Sequence, residues 1–483
     1  MLRVRLDGGE LEKSKFKELI NLAKKKNLKL ITTARAGLEL HYIYPDDILE
    51  VYNIVKQIGF TTHQSLTDNV RAIILDPLDG LTNNSFIDSY PILEDIKNTL
   101  LDNPKYFGMI PRKFNCAIVT TTNPQINFWG NDLLFALAKG DNGYGFNVYM
   151  GGKNSEVAKS ANIFIYPNDL KRLFFAIVDT FLEYGLRESR SKTRLYHLIL
   201  ELGIKDIRAK IEQKFGSKLL NEQKLLMQNS DFKEYIKLKD NTYAKAINCN
   251  YGEIDLDRVL SIINSAKKVR VGANQRLYLI GIKEKSNFED DSLIVACAGA
   301  RYCPLSLWDI KKDINELNLE RFAKEKINIG FSGCLKGCGR HHHNHIGLVG
   351  LRSNMFGKTQ KALRVFIGSC ELPNPTPARL LYYAVPLNAI DRLFEVIINE
   401  YKTKNYKDFN EFNLHLNQFS TELLQLWFIL RQLTLLDDTL IELFHTKNSQ
   451  KQLLAKIQEL KIYPKKDELF DNINILSHQL WDN

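Results

Sequence analysis

Two stretches of this chain are written twice, and a chain that repeats itself is expected to fold two units on one plan. Arg270-Val271-Gly272-Ala273-Asn274-Gln275-Arg276-Leu277-Tyr278-Leu279-Ile280-Gly281-Ile282 follows the rhythm of Ile31 to Ile43, with Leu38, Leu40 and Ile43 falling on Leu277, Leu279 and Ile282. Separately, Phe146 to Gly152 matches Leu363 to Ser369, and each copy is followed by Arg-Leu-Phe, at Arg172-Leu173-Phe174 and Arg392-Leu393-Phe394. The blocks keep their order at similar offsets, which predicts an internal duplication of roughly 220–240 residues. Chance similarity of short apolar strings is the competing explanation.

The 483 residues are enough for two or three packed lobes. With 44% hydrophobic and 25% charged residues the composition is that of an ordinary globular chain, which argues against disorder. No uncharged apolar run reaches the ~18 residues of a membrane helix. The opening Met1-Leu2-Arg3-Val4-Arg5-Leu6-Asp7 has no apolar secretory core, so a cytoplasmic location without membrane contact is expected. Along the chain, Leu11 to Lys26 reads as a helix, Leu28 to Ile43 as β, and Pro45 to Gln57 as a helix stopped at Gly59. Arg187 to Ala246, rich in Lys, Glu and Leu, reads helical, and Phe412 to Asn483 reads as several amphipathic helices.

Four of the seven cysteines lie within 42 residues. Cys297 and Cys303 form C-x5-C, and Cys334 and Cys338 form C-x3-C inside a glycine-rich turn. An odd total in such a chain argues against a disulfide framework. Four thiolates from two paired segments can close around one inorganic cluster, and a [4Fe–4S] cube takes four cysteines. Gly299, Gly333, Gly337 and Gly339 give the backbone freedom to wrap it. Structural zinc is the alternative: x3 suits it, x5 does so poorly. Unliganded buried cysteines are another. His341, His342, His343 and His345 follow at once and either complete a metal site or pack beside a polyanionic cofactor, the second being preferred.

C-x5-C followed by Gly-Cys-x3-Cys-Gly-Arg resembles the siroheme- and [4Fe–4S]-dependent nitrite/sulfite reductase family, of the assimilatory single-chain haemoprotein type. His341 to Gly350 is similar to the His-rich string of its bacterial members. Upstream, Thr32-Thr33-Ala34-Arg35 with His41 resembles the family's Thr-Thr-Arg…His segment. Asp68-Asn69-Val70-Arg71-Ala72-Ile73 resembles Asp-Asn-Val-Arg-Asn-Ile, and Ile110-Pro111-Arg112-Lys113-Phe114 resembles Leu-Pro-Arg-Lys-Phe. Arg187 to Leu195 resembles the family's Arg-rich helix start. The similarity runs from about residue 7 to residue 410.

The resemblance implies an α+β, internally duplicated fold. Two ferredoxin-like half-domains (1–85 and 251–300) would pair, beside two larger siroheme-binding α/β lobes (86–250, with a helical insert, and 301–410, carrying the cluster). A C-terminal helical extension would occupy 411–483. It implies that Cys297, Cys303, Cys334 and Cys338 hold the cluster, with Cys338 bridging to siroheme. Arg35, Arg71 and Lys113 would bind the substrate anion and supply protons, with Asn115 beside them. Arg112, Arg187, Arg190, Lys192, Arg194 and Arg340 would serve siroheme and its eight carboxylates.

The activity so implied is six-electron reduction of nitrite to ammonia or sulfite to sulfide. Electrons would come from a separate ferredoxin or flavoprotein, since no G-x-G-x-x-G nucleotide fingerprint stands out. Asn115 stands where sulfite-reducing members usually have a second Lys, and plant-type nitrite reductases resemble it there, so nitrite is favoured over sulfite. Other departures are Ala36 and Glu39 in place of glutamines, and Gly151-Gly152-Lys153 and Ile367-Gly368-Ser369 in place of a glycine triplet. A precorrin-modifying Fe–S oxygenase is a further alternative. The net charge of +10 also admits a nucleic-acid-binding Fe–S protein, but the basic residues form no single tract interleaved with aromatics, so no nucleic-acid partner is expected.

Overall fold

The first helix, Lys13–Lys25, buries Phe16, Leu19, Ile20, Leu22 and Ala23 on one face and puts Lys24 and Lys25 at its negative end. It stops because Asn27 takes φ +51, a conformation asparagine tolerates, so that Leu28 N–H closes back on the Ala23 carbonyl at 2.8 Å. These and the following elements come from a computed structural model that describes residues 1–284, 293–354 and 359–435. The chain is mixed α/β and divides into two units: Met1–Val295 with Glu371–Pro373, and Ala296–Cys370 with the chain from Asn374 onward.

In the first unit the 28–43 stretch is a hairpin rather than one strand. Lys29–Thr32 and Leu38–His41 pair antiparallel, and Leu2–Val4 adds to the second of them. The Thr33 hydroxyl turns the chain by accepting from Arg35 N–H (3.3 Å) and Gly37 N–H (3.1 Å), while Ala36 sits at φ +53. Its partner in sequence, 270–282, is a second hairpin of Lys268–Val271 and Arg276–Ile282 with Gln275 at φ +61. That hairpin lies in a five-stranded sheet ordered Tyr235–Lys237, Tyr243–Asn248, Arg276–Ile282, Lys268–Val271, Glu10–Leu11. The two hairpin regions touch: Leu11 pairs with Val269, and the Gln275 amide donates to the Thr32 carbonyl at 3.1 Å.

The helical reading of 187–246 holds only through Leu195–Leu202 and Ile204–Phe215. Gly216, at φ +82, ends the run, and Lys224–Leu225, Tyr235–Lys237 and Tyr243–Asn248 are strands. The reason is tertiary. Ala244 and Ala246 are fully buried against Tyr278 and Ile280 of the neighbouring strand, which outweighs the helix preference of the intervening Lys residues.

The two larger sheets share one plan. In the first unit Ile74–Leu75, Cys116–Val119, Leu133–Gly140, Gly143–Met150 and Lys159–Ile165 lie in that order, parallel across the first three and antiparallel thereafter. Helix Leu170–Tyr184 follows. The other sheet runs Ile294–Ala296, where the units divide, then Ile329–Ser332, Ile346–Ser353, Gln360–Ile367 and Arg379–Pro386, with helix Leu387–Thr403 after it. Its second and third strands are parallel, and its third, fourth and fifth run antiparallel to their neighbours in turn. Gly151 (φ +89) and Gly368 (φ +93) end the matched strands. Of the C-terminal extension, Phe409–Leu416 and Thr421–Thr434 are helical, and 436–483 lie outside the described residues.

Candidate functional site

Within the first unit, two loops are zipped together around buried Val70 and Phe114. Phe114 N–H donates to the Asn69 carbonyl (3.0 Å) and its own carbonyl accepts from Arg71 N–H (2.8 Å), a parallel bridge that sets Arg71 beside Lys113 and Asn115. Arg71 donates to the main-chain carbonyls of Ser65 and Thr67, and its Nε is buried without a partner among the described residues. Burial and the nearby charge of Arg3 push this guanidinium down to about 10, Asp68 opposing and Arg5 and Arg112 adding to the drop. Cations gathered this closely, one of them served only by carbonyls, make a place where an anion lowers the energy.

Asp68 organises the rest. Its carboxylate accepts from Arg112 (2.8 Å), from the Lys113 N–H (3.2 Å) and from Arg190 (3.0 Å). Burial would raise this carboxyl, but the Arg112 hydrogen bond and the charges of Arg112 and Arg190 hold it below the usual range. Asn115 is 1% exposed, and neither atom of its side-chain amide has a partner among the described residues. Its N–H is held by Asp132 at 2.8 Å, and Asp132 is gripped by Arg194 at 2.8 and 2.6 Å. Arg35, on the hairpin turn, reaches Asn131 Oδ1 at 3.4 Å, next to Asp132.

Arg35, Arg71, Arg112, Lys113, Asn115, Arg190 and Arg194 thus belong to one connected network. Arg187 stands apart, donating to the carbonyls of Met109 (3.0 Å) and Leu182 (2.9 Å), and Lys192 is exposed. Asp68 and Asp132 were not singled out by sequence. Asp68 opens the Asp-Asn-Val-Arg string and was there to be found; Asp132 carries no motif.

The second unit holds the four paired cysteines. Cys297 N–H donates to the Phe331 carbonyl (2.9 Å), and Gly333 N–H donates to the Cys297 sulfur (3.0 Å), so the two cysteine segments are stitched across strand Ile329–Ser332. Gly299 and Gly337, both at positive φ, turn the chain at Cys303 N–H to Gly299 O (2.9 Å) and at Arg340 N–H to Gly337 O (2.9 Å). A Cβ on Gly333 would overlap the Ser306 side chain, and one on Gly339 would overlap the Phe331 carbonyl. Cys297, Cys303 and Cys334 are half-buried and Cys338 is exposed, whereas Cys116, Cys249 and Cys370 are buried.

Burial pushes the Cys297 thiol up to about 11, with Gly299 and Gly333 N–H groups pulling the other way and Cys338 adding to the rise. A metal centre there would displace that proton. Among the described residues no three Cys, His, Asp or Glu side chains close on a single ion. Two glycine-hinged turns thus carry four thiols, the number a [4Fe–4S] cube takes.

The histidines pack behind these turns. His341 is fully buried with Nδ1 at 2.9 Å from Ser332 Oγ, and His342 Nδ1 lies 2.7 Å from the Ala378 carbonyl. His345 Nδ1 accepts from Asn328 N–H at 3.1 Å. Burial drives His341 down to about 3 and His345 to about 4. Arg340, at φ +58, turns the chain between the last cysteine and this string.

Residues 66–219, which include both zipped loops, match the family described as the nitrite and sulphite reductase 4Fe–4S domain. The chain is 26% identical over 406 residues to a ferredoxin–nitrite reductase of Leptolyngbya laminosa, covering 76% of this chain and 80% of that one. These matches support the siroheme and Fe–S nitrite/sulfite reductase family for this chain. It is accordingly an oxidoreductase. Another relative in the family is a ferredoxin sulfite reductase of Mycolicibacterium paratuberculosis, 22% identical over 391 residues and covering 72% of this chain and 69% of its own. The NirA protein of Mycobacterium tuberculosis shares the fold, with a TM-score of 0.75 at 20% identity over 87% of this chain and 84% of that one. No helix among the described residues is long and apolar enough to cross a membrane.

Proposed function

We propose that this protein reduces nitrite to ammonia by six electrons, with sulfite reduction to sulfide as the second reading. The observation that carries it is the anion site of the first unit. There Arg71 hydrogen-bonds to main-chain carbonyls with its Nε unmatched, beside Lys113 and the orphaned amide of Asn115. Siroheme and a [4Fe–4S] cluster supply the electrons when bound, since no side chain stores them. Cys297, Cys303, Cys334 and Cys338 would hold the cluster, and Cys338, Arg112 and Arg340 would hold siroheme.

Arg35 and Arg71 hold the oxyanion, and Lys113 both attracts it and gives protons as its oxygens leave as water. A cation about 4 Å from a single charge contributes at most ~4 kcal/mol at an effective dielectric near 20, so several are needed. Ferredoxin fits as electron donor, because the relatives named above are ferredoxin-dependent; a flavoprotein is the other candidate. The equal strand order of the two large sheets supports an origin by duplication.

Nitrite is preferred because Asn115 is neutral and buried where a second ammonium would serve a dianion twice as well as a monoanion. The sulfite reading is kept because one relative is a sulfite reductase. No relative named here is a precorrin-modifying oxygenase, and that reading is not carried further. Turnover of the purified holoenzyme on both anions with an artificial donor decides. Nitrite should give the higher kcat/KM, and Asn115→Lys should shift the ratio toward sulfite. A wild type that prefers sulfite sinks the nitrite assignment.

A further inference from the structure

Two carboxylates stand in a site that has to attract an anion. A carboxylate there opposes binding through the same Coulomb term by which a cation helps, so their presence calls for a second use. Their contacts supply one. Asp68 accepts the Lys113 N–H at 3.2 Å and holds Arg190 at 3.0 Å, with Arg112 at 2.8 Å. Asp132 accepts the Asn115 N–H at 2.8 Å and holds Arg194 at 2.8 and 2.6 Å. The pattern is the same on either side of Phe114: one acid, one main-chain N–H of the loop, one arginine from the stretch 190–194. Phe114 is pinned between them by Asn69 and Arg71. Each acid is neutralised by its arginine, so the loop is fixed without giving up the local positive field.

We propose that Asp68 and Asp132 are positioning residues that clamp the Arg112–Asn115 loop to the Arg190–Arg194 stretch, and that Arg190 and Arg194 are the counter-charges of this clamp. Lys113 and Asn115 are thereby held at a set spacing along one rigid strand of backbone. The activity arm of the test rests on the reductase reading above; the structural arm does not.

The test uses full-length holoenzyme and the variants Asp68→Ala, Asp68→Asn, Arg190→Ala and Asp132→Asn. Three readouts are taken: amide hydrogen exchange over residues 112–116, kcat and KM separately, and siroheme per chain from the visible spectrum. Asp68→Ala should speed exchange at Lys113 by about tenfold or more. Its kcat should fall on the order of 100-fold, the scale of a misplaced reacting group, while siroheme content stays at the wild-type level. Asp68→Asn, which keeps an acceptor oxygen for the Lys113 N–H, should recover most of both. Arg190→Ala should keep its siroheme. Asp132→Asn is chosen over alanine so that the fold survives, and it should loosen exchange at Asn115. Unchanged exchange in Asp68→Ala, or siroheme lost in step with activity in Arg190→Ala, overturns the clamp. If the wild type reduces neither anion the functional reading fails, and the exchange data still decide the clamp.

Discussion

Arg194→Ala is the sharpest perturbation the first unit offers. The Asp132 side chain is 1% exposed and that of Arg194 is 11% exposed, and the pair is bidentate. Removing the arginine leaves a buried carboxylate facing the Asn115 N–H, and breaking a buried pair from one side typically costs about 3–5 kcal/mol. The Arg190 side chain, by contrast, is 72% exposed, so Arg190→Ala should cost only about 0–1 kcal/mol even though its bond to Asp68 is well formed. With a urea slope of roughly 3 kcal/mol/M for a unit of this size, Arg194→Ala should lower the midpoint by about 1–1.7 M and Arg190→Ala by about 0.3 M or less. Equilibrium urea unfolding of the full-length holoenzyme, followed by far-UV circular dichroism, measures both. The double variant Asp132→Asn/Arg194→Met removes both charges together and should regain most of the loss. If Arg194→Ala moves the midpoint no further than Arg190→Ala does, the buried pair is not a stability element and the reasoning from burial fails.

Cys338→Ser should lose both iron–sulfur and siroheme absorbance, whereas Cys116→Ser, Cys249→Ser and Cys370→Ser, all at fully buried cysteines, should keep their iron; equal loss in all four would overturn the ligand assignment. Arg71→Ala and Lys113→Ala should cut turnover by a factor equivalent to a few kcal/mol while siroheme content stays near wild type, and activity that merely tracks cofactor loss would make them structural. His345 is held down to about 4 by burial, against an unfolded value near 6.5. Because the folded value is the lower one, its contribution is fully present above about pH 6.5 and is lost as pH falls through about 4. Denaturant melts at pH 7.5 and 4.5 should therefore show a smaller loss on acidification in His345→Gln than in wild type, and equal losses would refute the assignment.

The chemistry of the site was legible in the sequence because it is local. C-x5-C and C-x3-C among glycines pointed to the proposed donor set, and the structure finds Gly299 and Gly337 at positive φ and Gly333 and Gly339 where a Cβ would meet the Ser306 side chain and the Phe331 carbonyl. Asp-Asn-Val-Arg and Pro-Arg-Lys-Phe likewise announced the two loops, which the structure zips together through Val70 and Phe114. Turns were harder: Thr33 and Ala36 split one expected strand into a hairpin, through a hydroxyl bond that alternation of apolar residues does not encode.

What only the tertiary structure decided is who pairs with whom across long separations. Asp68 and Arg190 are 122 residues apart, and Asp132 and Arg194 are 62 apart. An arginine in a motif carries the same charge whether it meets a ligand's carboxylate or the protein's own, and the choice depends on which loop the fold brings within 3 Å. The strands at 235–248 make the same point about backbone. Their Lys-rich composition favours a helix, yet burying Ala244 and Ala246 against Tyr278 and Ile280 is worth more than that local preference, because it removes apolar surface from water along a whole strand. Residue type and short spacing pointed to the groups proposed to handle an anion and a metal cluster. The packing of distant segments dictated which of those groups are already engaged with one another.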